Sequence, residues 1–311
     1  MTRKSIAATA TAFIASLALA FVLTLPVPAA STAPPSPAIW KMEGPNGRVF
    51  LFGSFHILPQ GMAWRTPALE AAINSAQQFV FELDIDEVKN PLLMMAMTAK
   101  FGMLPKGESL HRLLAPERRK QFDDVVTALG LSPARLDRMT PWLAAMTIST
   151  RAAFKLSKPG ETPKGEDVKI VAGVDDQIWS QAKAANKDRA ALETLETQLR
   201  VFADLKPDEQ ADYLVVTLDE VTKPQQQVSG ILEAWRTGNT SELTRLNSGF
   251  DQFPSLRRAI LNNRNAAWVP QIEKMLTDGR THLVVVGAAH LVGPESVIAL
   301  LRAKGYRIEG P

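Results

Sequence analysis

The chain of 311 residues contains no cysteine, which excludes disulfides, thiolate metal ligands, cysteine nucleophiles and lipid attachment through an N-terminal cysteine. Histidine is scarce too: His56, His111, His282 and His290 are the whole supply, so any imidazole chemistry must draw on those four. Neither charge dominates. The formal balance is +3, and without Arg3 and Lys4 there are 33 basic residues against 32 acidic ones. Such a balance gives no electrostatic footprint for a nucleic acid, and none is expected as a partner. Beyond residue 25 no second apolar run approaches the ~20 residues needed to cross a bilayer.

The start of the chain does hold such a run. Arg3 and Lys4 precede twenty uncharged, mostly apolar residues from Ile6 to Leu25, followed by Pro26, Pro28 and several alanines. This is the layout of a secretory signal. Val27 and Ala29 supply the small residues for cleavage after Ala29, with a shift to Ala33 as the variant. The protein is therefore expected in the periplasm or secreted; the alternative is an uncleaved membrane anchor formed by residues 6–25. Residues 30–37 read as a linker, and 38–311 as a single domain with a helical insertion at about 91–160. At 46% apolar residues, roughly 280 mature positions suffice for one large core or two small ones.

The order of elements argues for an α/β fold. Ala38–Glu43, a Pro45-Asn46-Gly47 turn and Arg48–Gly53 form a hairpin. A helix from Thr66 leads to a short strand over Phe79–Leu83. Helical pattern broken by Pro105, Pro116, Pro133 and Pro141 fills Pro91 to Lys158. Val168–Asp175 reads as a buried strand followed by a helix from Asp176 to Ala185, and further helices run from Ala190 to Thr277. The last unit is a β-branched strand at Thr281–Val286, a helix over Pro294–Lys304 and a terminal strand at Tyr306–Ile308.

One phrase occurs twice. Val49–Phe52 runs into Gly53-Ser54-Phe55-His56 and Pro59, and Leu283–Val286 runs into Gly287-Ala288-Ala289-His290 and Pro294. Two related half-units, each a strand followed by Gly-x-x-His, would place both histidines at strand ends within a central mixed sheet. In open α/β sheets that is where ligands gather. Glycine at the bend allows either positive φ or close backbone approach. Glu82 directly follows three apolar residues at the end of another strand and could complete the site, although Asp84, Asp86 and Glu87 beside it equally suit a solvated end. Two imidazoles and one carboxylate leave coordination positions open for water and substrate, which suits hydrolysis by zinc, manganese, cobalt or iron.

These residues carry a family resemblance. Trp40, the phrase Phe50–His56, Glu82-Leu83-Asp84 and the tail Val284–Pro294 resemble the TraB/PrgY/GumN family; Pro141-Trp142-Leu143, Gly173-Val174-Asp175, Leu192-Glu193-Thr194 with Gln198, and Arg264-Asn265 resemble its GumN-like bacterial branch. The likeness extends over about residues 38–309. It is similar in turn to the Tiki metalloproteases and, more distantly, to erythromycin-esterase (EreA) and ChaN-like folds. The resemblance implies a mixed α/β sheet with large helical insertions, and an exported metal-dependent hydrolase acting on peptides or small molecules. Its metal (Mn, Co or Zn) would lie on His56, Glu82 and His290, with Glu82 as ligand or general base. The competing implication is a non-catalytic protein that sequesters a peptide or small ligand. Ser54 and Ala289 stand where threonine or glycine is common, which leaves the histidines untouched.

Five further features are read as follows. Arg264 is a candidate for stabilising an oxyanion or a substrate carboxylate. Glu193 could orient a ligand histidine, but Glu196 nearby suits a solvated helix face. The Leu92–Met97 run reads as a buried or partner-facing helix. Trp142, Trp179, Trp235 and Trp268 read as core anchors, and His111 as part of an exposed face.

Overall fold

The computed structural model describes residues 34–156, 170–222 and 226–311. The expected signal segment and the start of the expected strand at Val168 lie outside them. The strands are β1 (Ile39–Glu43), β2 (Arg48–Ser54), β3 (Ile57–Pro59), β4 (Gln78–Phe81), β5 (Ile170–Ala172), β6 (Asp188–Ala191), β7 (Thr281–Gly287) and β8 (Ile308–Glu309). The helices of two turns or more are α1 (Pro67–Ser75), α2 (Pro91–Phe101), α3 (Pro116–Ala128), α4 (Pro141–Leu156), α5 (Val174–Ala184), α6 (Leu195–Ala203), α7 (Pro207–Thr222), α8 (Gln226–Arg236), α9 (Thr240–Asn247), α10 (Asn263–Met275) and α11 (Val297–Ala303). None of the described helices is long and apolar enough to cross a membrane.

The chain forms two compact units. The first gathers 86–170 and 195–229 and is helical. Its centre is aromatic: Trp142 of α4 stacks on Phe202 of α6 at 6.2 Å, and Phe202 meets Tyr213 of α7 at 5.3 Å. The prolines at 91, 116 and 141 each open a helix, where the missing N–H costs nothing.

The second unit, 28–85, 171–194 and 230–311, holds a six-stranded mixed sheet in the order β6-β4-β7-β2-β1-β8. The fold is thus mixed α/β around a central sheet with large helical insertions. The hairpin forms as expected, with Ile39 opposite Phe52 and Glu43 opposite Arg48. The two repeated strands are neighbours: β2 and β7 run parallel, with Gly53 beside Val286 and Ser54 beside Gly287. β7 is parallel to β4 as well, and β4 to β6. Every residue of β7 after Thr281 is buried, the burial on both faces that a continuous β-branched run signals in a parallel strand.

Three expectations change. The stretch around Val171 is not a buried central strand, because β5 pairs with β3 in a separate two-stranded ribbon and Val171 is exposed. Residues 188–191, expected to be helical from Ala190, form the edge strand β6. Of the two alternatives for the Leu92–Met97 run, buried or partner-facing, the buried one is corrected: in α2 only Met94 is covered, while Leu92 and Met95 are open to solvent.

Candidate active site

The parallel arrangement decides where the polar residues go. β6, β4, β7 and β2 all point their carboxyl ends the same way, and within three residues of each end stands a histidine or glutamate. Glu193 follows β6, Glu82 follows β4, His290 follows β7 and His56 follows β2. A single sheet edge therefore collects two carboxylates and two imidazoles, the place where α/β sheets bind ligands. Glycine serves close approach rather than positive φ at both bends. A Cβ on Gly53 would lie 3.0 Å from Ala288 Cα, and one on Gly287 would lie 3.1 Å from Glu82 Oε1.

Arg264, from the first turn of α10, is the hub. Its Nη2 donates to Glu82 Oε2 at 2.7 Å, its Nε to both oxygens of Glu193 at 2.9 and 3.1 Å, and its Nη1 to Ile260 O and to His290 Nε2, each at 3.1 Å. The Gly287 N–H donates to Glu82 Oε1 at 2.5 Å. Trp268, one turn along α10, donates its indole N–H to Glu193 Oε1 at 2.8 Å and lays its ring 4.4 Å from that of His290. The Glu193 side chain is only 6% exposed. This corrects its reading as part of a solvated face, and the partner it orients is Arg264, not a histidine.

The tautomer of His290 follows from its neighbours. A guanidinium has no acceptor, so Nε2 must receive the Arg264 N–H, and the ring proton sits on Nδ1. There it donates to Asn265 Oδ1 at 2.6 Å, while Asn265 Nδ2 donates to Glu295 O at 2.8 Å, which fixes the amide's orientation as well. Burial, followed by the adjacent Arg264 charge, lowers the His290 pKa to about 3 against the pull of Glu82. The ring is neutral at physiological pH. Burial would raise the Glu82 pKa, yet Arg264 first, then the two imidazoles and the Gly287 amide, hold it far below the usual carboxylate range.

His56 is held differently. Its Nδ1 meets Asp175 Oδ2 at 3.0 Å, with both side chains 8% exposed. Two backbone features fix this pair. The Val174 N–H donates to Phe55 O at 2.9 Å, and Gly173 passes so near that a Cβ would lie 2.1 Å from Phe55 O and 2.2 Å from the His56 carbonyl carbon. Burial opposes protonation of His56, but the Asp175 charge and hydrogen bond, helped by Glu82, outweigh it and raise the pKa above its ordinary value. The charge of His56 in turn acts on both Glu82 and His290, so all four groups share one electrostatic environment.

The sequence expectation thus finds His56, Glu82, Arg264 and His290 around the same sheet edge. Asp175, Asn265 and Trp268 also belong there. Each was visible only as part of a family phrase or as an aromatic core residue; one available signal for Asp175 was its place in the first turn of a helix that opens after a glycine. His282 is fully buried on Asp278 at 2.9 Å near the start of β7, away from this edge, and His111 pairs with Asp123 at 2.8 Å in the other unit.

Comparison with known proteins identifies the family. The model of the TraB/PrgY/gumN family matches residues 38–310. The chain belongs to the TraB/PrgY/gumN family. An uncharacterized protein of Treponema pallidum (strain Nichols) is 20% identical over 278 residues, covering 85% of this chain and 80% of its own length. No solved structure matches.

Whether the residues suit a metal ion is a question of donors and charge. Among the described residues no group of three or more histidine, aspartate or glutamate side chains is arranged to hold one. The donor chemistry nevertheless fits. Both histidines are engaged at Nδ1 by a side-chain acceptor on another element, which leaves Nε2 as the coordinating nitrogen and is the usual way a ligand imidazole is oriented. Glu82 Oε1 lies 3.8 Å from His290 Nε2. The charge count fits as well. Glu82 and Glu193 share the one Arg264 guanidinium, a surplus of one negative charge that a cation would offset, while Asp175 is paired with His56. For His290 to ligate, Arg264 Nη1 must give up its hydrogen bond to Nε2.

Proposed function

We propose that this TraB/PrgY/gumN protein is an exported metal-dependent hydrolase, with peptides as its substrates. The observation that carries the reading is the convergence on one sheet edge of two Nδ1-anchored histidines, a glutamate and a buried guanidinium, with one negative charge in excess on that guanidinium's two carboxylates. His56, Glu82 and His290 are the residues that would hold the ion, with manganese, cobalt and zinc as candidates. Such an ion supplies Lewis acidity and a bound water whose pKa falls toward ~7. Glu82 suits a ligand better than a general base, because a proton acceptor works best with a pKa near the operating pH and Glu82 titrates far below it. Arg264 keeps a fixed positive charge beside the reacting edge, where negative charge develops on a substrate oxygen. Trp268 and the buried walls of the edge keep water away from the His290 ring.

A second reading has its own support. Glu82, His290 and Arg264 are saturated by one another, as suits a rigid binding site that captures a peptide or small ligand without cleaving it. One experiment separates the two. Chain stripped with a chelator is titrated with Mn, Co and Zn and then given a peptide library. We expect one ion per chain, affinity reduced at least ~100-fold in His56→Ala and His290→Ala but unchanged in His111→Ala, and ion-dependent cleavage. Cleavage that survives without any ion removes the metal from the proposal; peptide binding without cleavage favours sequestration. Export is tested by the N-terminus of the mature protein, expected near Ala30; a membrane-bound chain that keeps Met1 would instead favour the anchor formed by residues 6–25.

A further inference from the structure

A cavity of about 550 Å³ opens beside the region just described, walled by the π-helical turn Arg258–Asn262, the chain before it and Glu295. Its volume is that of a small-molecule site. Its charges are unevenly paired. Asp251 and Glu295 share one arginine, Arg257, at 2.9 and 3.5 Å, and Glu295 also accepts from Asn262 Nδ2 at 2.7 Å. That group keeps one negative charge in excess. Arg258, on the same wall, is exposed, and its guanidinium has no partner among the described residues. The cavity therefore presents a free cation and a surplus anion together, the complement of a zwitterion.

The cavity is also wired to the candidate active site. Ile260, inside the π turn, gives its carbonyl to Arg264 Nη1, and the Glu295 carbonyl takes the Asn265 side chain whose oxygen holds the His290 ring. A ligand that shifts the π turn or Glu295 acts on both residues through one or two hydrogen bonds. π turns of this kind interrupt α-helical stretches often at functional sites.

We propose that this cavity binds a short peptide with both termini free, its carboxylate on Arg258 and its ammonium toward Asp251 and Glu295, and that occupancy is felt at His290 through Asn265. The inference takes its ligand class from the peptide-handling reading, but it is tested by binding alone. Full-length chain labelled with ¹⁵N is titrated with trialanine, N-acetyl-trialanine and trialanine amide, following the Arg258 Nε, Glu295 amide and His290 ring signals. Trialanine is expected to move all three, and blocking either terminus to weaken binding at least tenfold. Arg258→Gln, at an exposed position that leaves the fold intact, should lower trialanine affinity to that of the acetylated or amidated peptides. Equal binding of all three peptides, or binding that leaves Arg258 and Glu295 unmoved, overturns the proposal. A chain that binds trialanine here yet cleaves no peptide sinks the hydrolase reading and leaves this site standing; cleavage without these shifts does the reverse.

Discussion

Arg264 carries more of this site than any other residue, because one buried guanidinium serves two carboxylates, a carbonyl and an imidazole at once. A lysine could not, since its ammonium lacks the fork that reaches Glu82 and Glu193 from different nitrogens. Removing the charge leaves both carboxylates buried and unpaired, and breaking a buried pair typically costs about 3–5 kcal/mol. We therefore expect Arg264→Gln to lower unfolding free energy by about that amount in chelator-treated protein. If the anionic surplus is what a divalent ion answers, added Mn should restore more stability to the variant than it adds to the wild type, as read from urea midpoints. An equal gain in both would show that the carboxylates do not draw the ion. The same site explains which residues were legible beforehand. His56, Glu82 and His290 announced themselves by following apolar strands, whereas Asn265 and Asp175 matter only through the atoms they touch, and no pattern in the chain marks an asparagine as the acceptor for a histidine 25 positions away.

Among the elements, the junction between β2 and α5 is the most demanding. Gly173 sits where a side chain would overlap the backbone at Phe55 and His56, so it has no room to yield. Gly173→Ala must push α5 away from the strand end, and with it Asp175 from His56. We expect a loss of about 2–4 kcal/mol, within the range of the more damaging single substitutions. His56 should also lose its raised pKa, measured by NMR titration of the ring; an unshifted His56 titration would mean that the clasp does not set the histidine. The hairpin, β4, β7 and the proline-opened helices followed from alternation, β-branched runs and helix-start signals, because in each the local preference and the buried face agree. β6 did not. Its sequence Asp188-Arg189-Ala190-Ala191 has little strand propensity, and only pairing along β4 makes it a strand. β5 failed in the opposite way, with strand-forming residues that pair outside the central sheet.

For the whole molecule, the two site histidines give the stability a pH dependence of opposite sign on either side of the free imidazole value of 6.5. His290 titrates at about 3 in the fold, so between 6.5 and 3 the unfolded chain binds a proton that the folded chain refuses. Stability then falls on acidification, by about 1.4 kcal/mol per pH unit, or roughly 2 kcal/mol at pH 5. Glu82, held far below its ordinary range, adds to the loss only beneath about 4.5, where the unfolded carboxyl takes up its proton. His56 works the other way. Its folded pKa is raised, so it contributes stability below 6.5 and loses it as pH climbs through that higher value. Urea unfolding of metal-free chain should accordingly lose stability more steeply below 4.5, where Glu82 joins His290, than between 6.5 and 4.5, where His290 is the one of these three groups that drives the loss. Compared with wild type, His290→Gln should show a flatter profile over that window, though a lower stability at pH 7. If the two profiles are parallel from 6.5 to 4.5, His290 is protonated in the folded protein. Arg264 then cannot be donating to it, and the hydrogen-bond chain from Glu295 to Glu82 must be drawn differently.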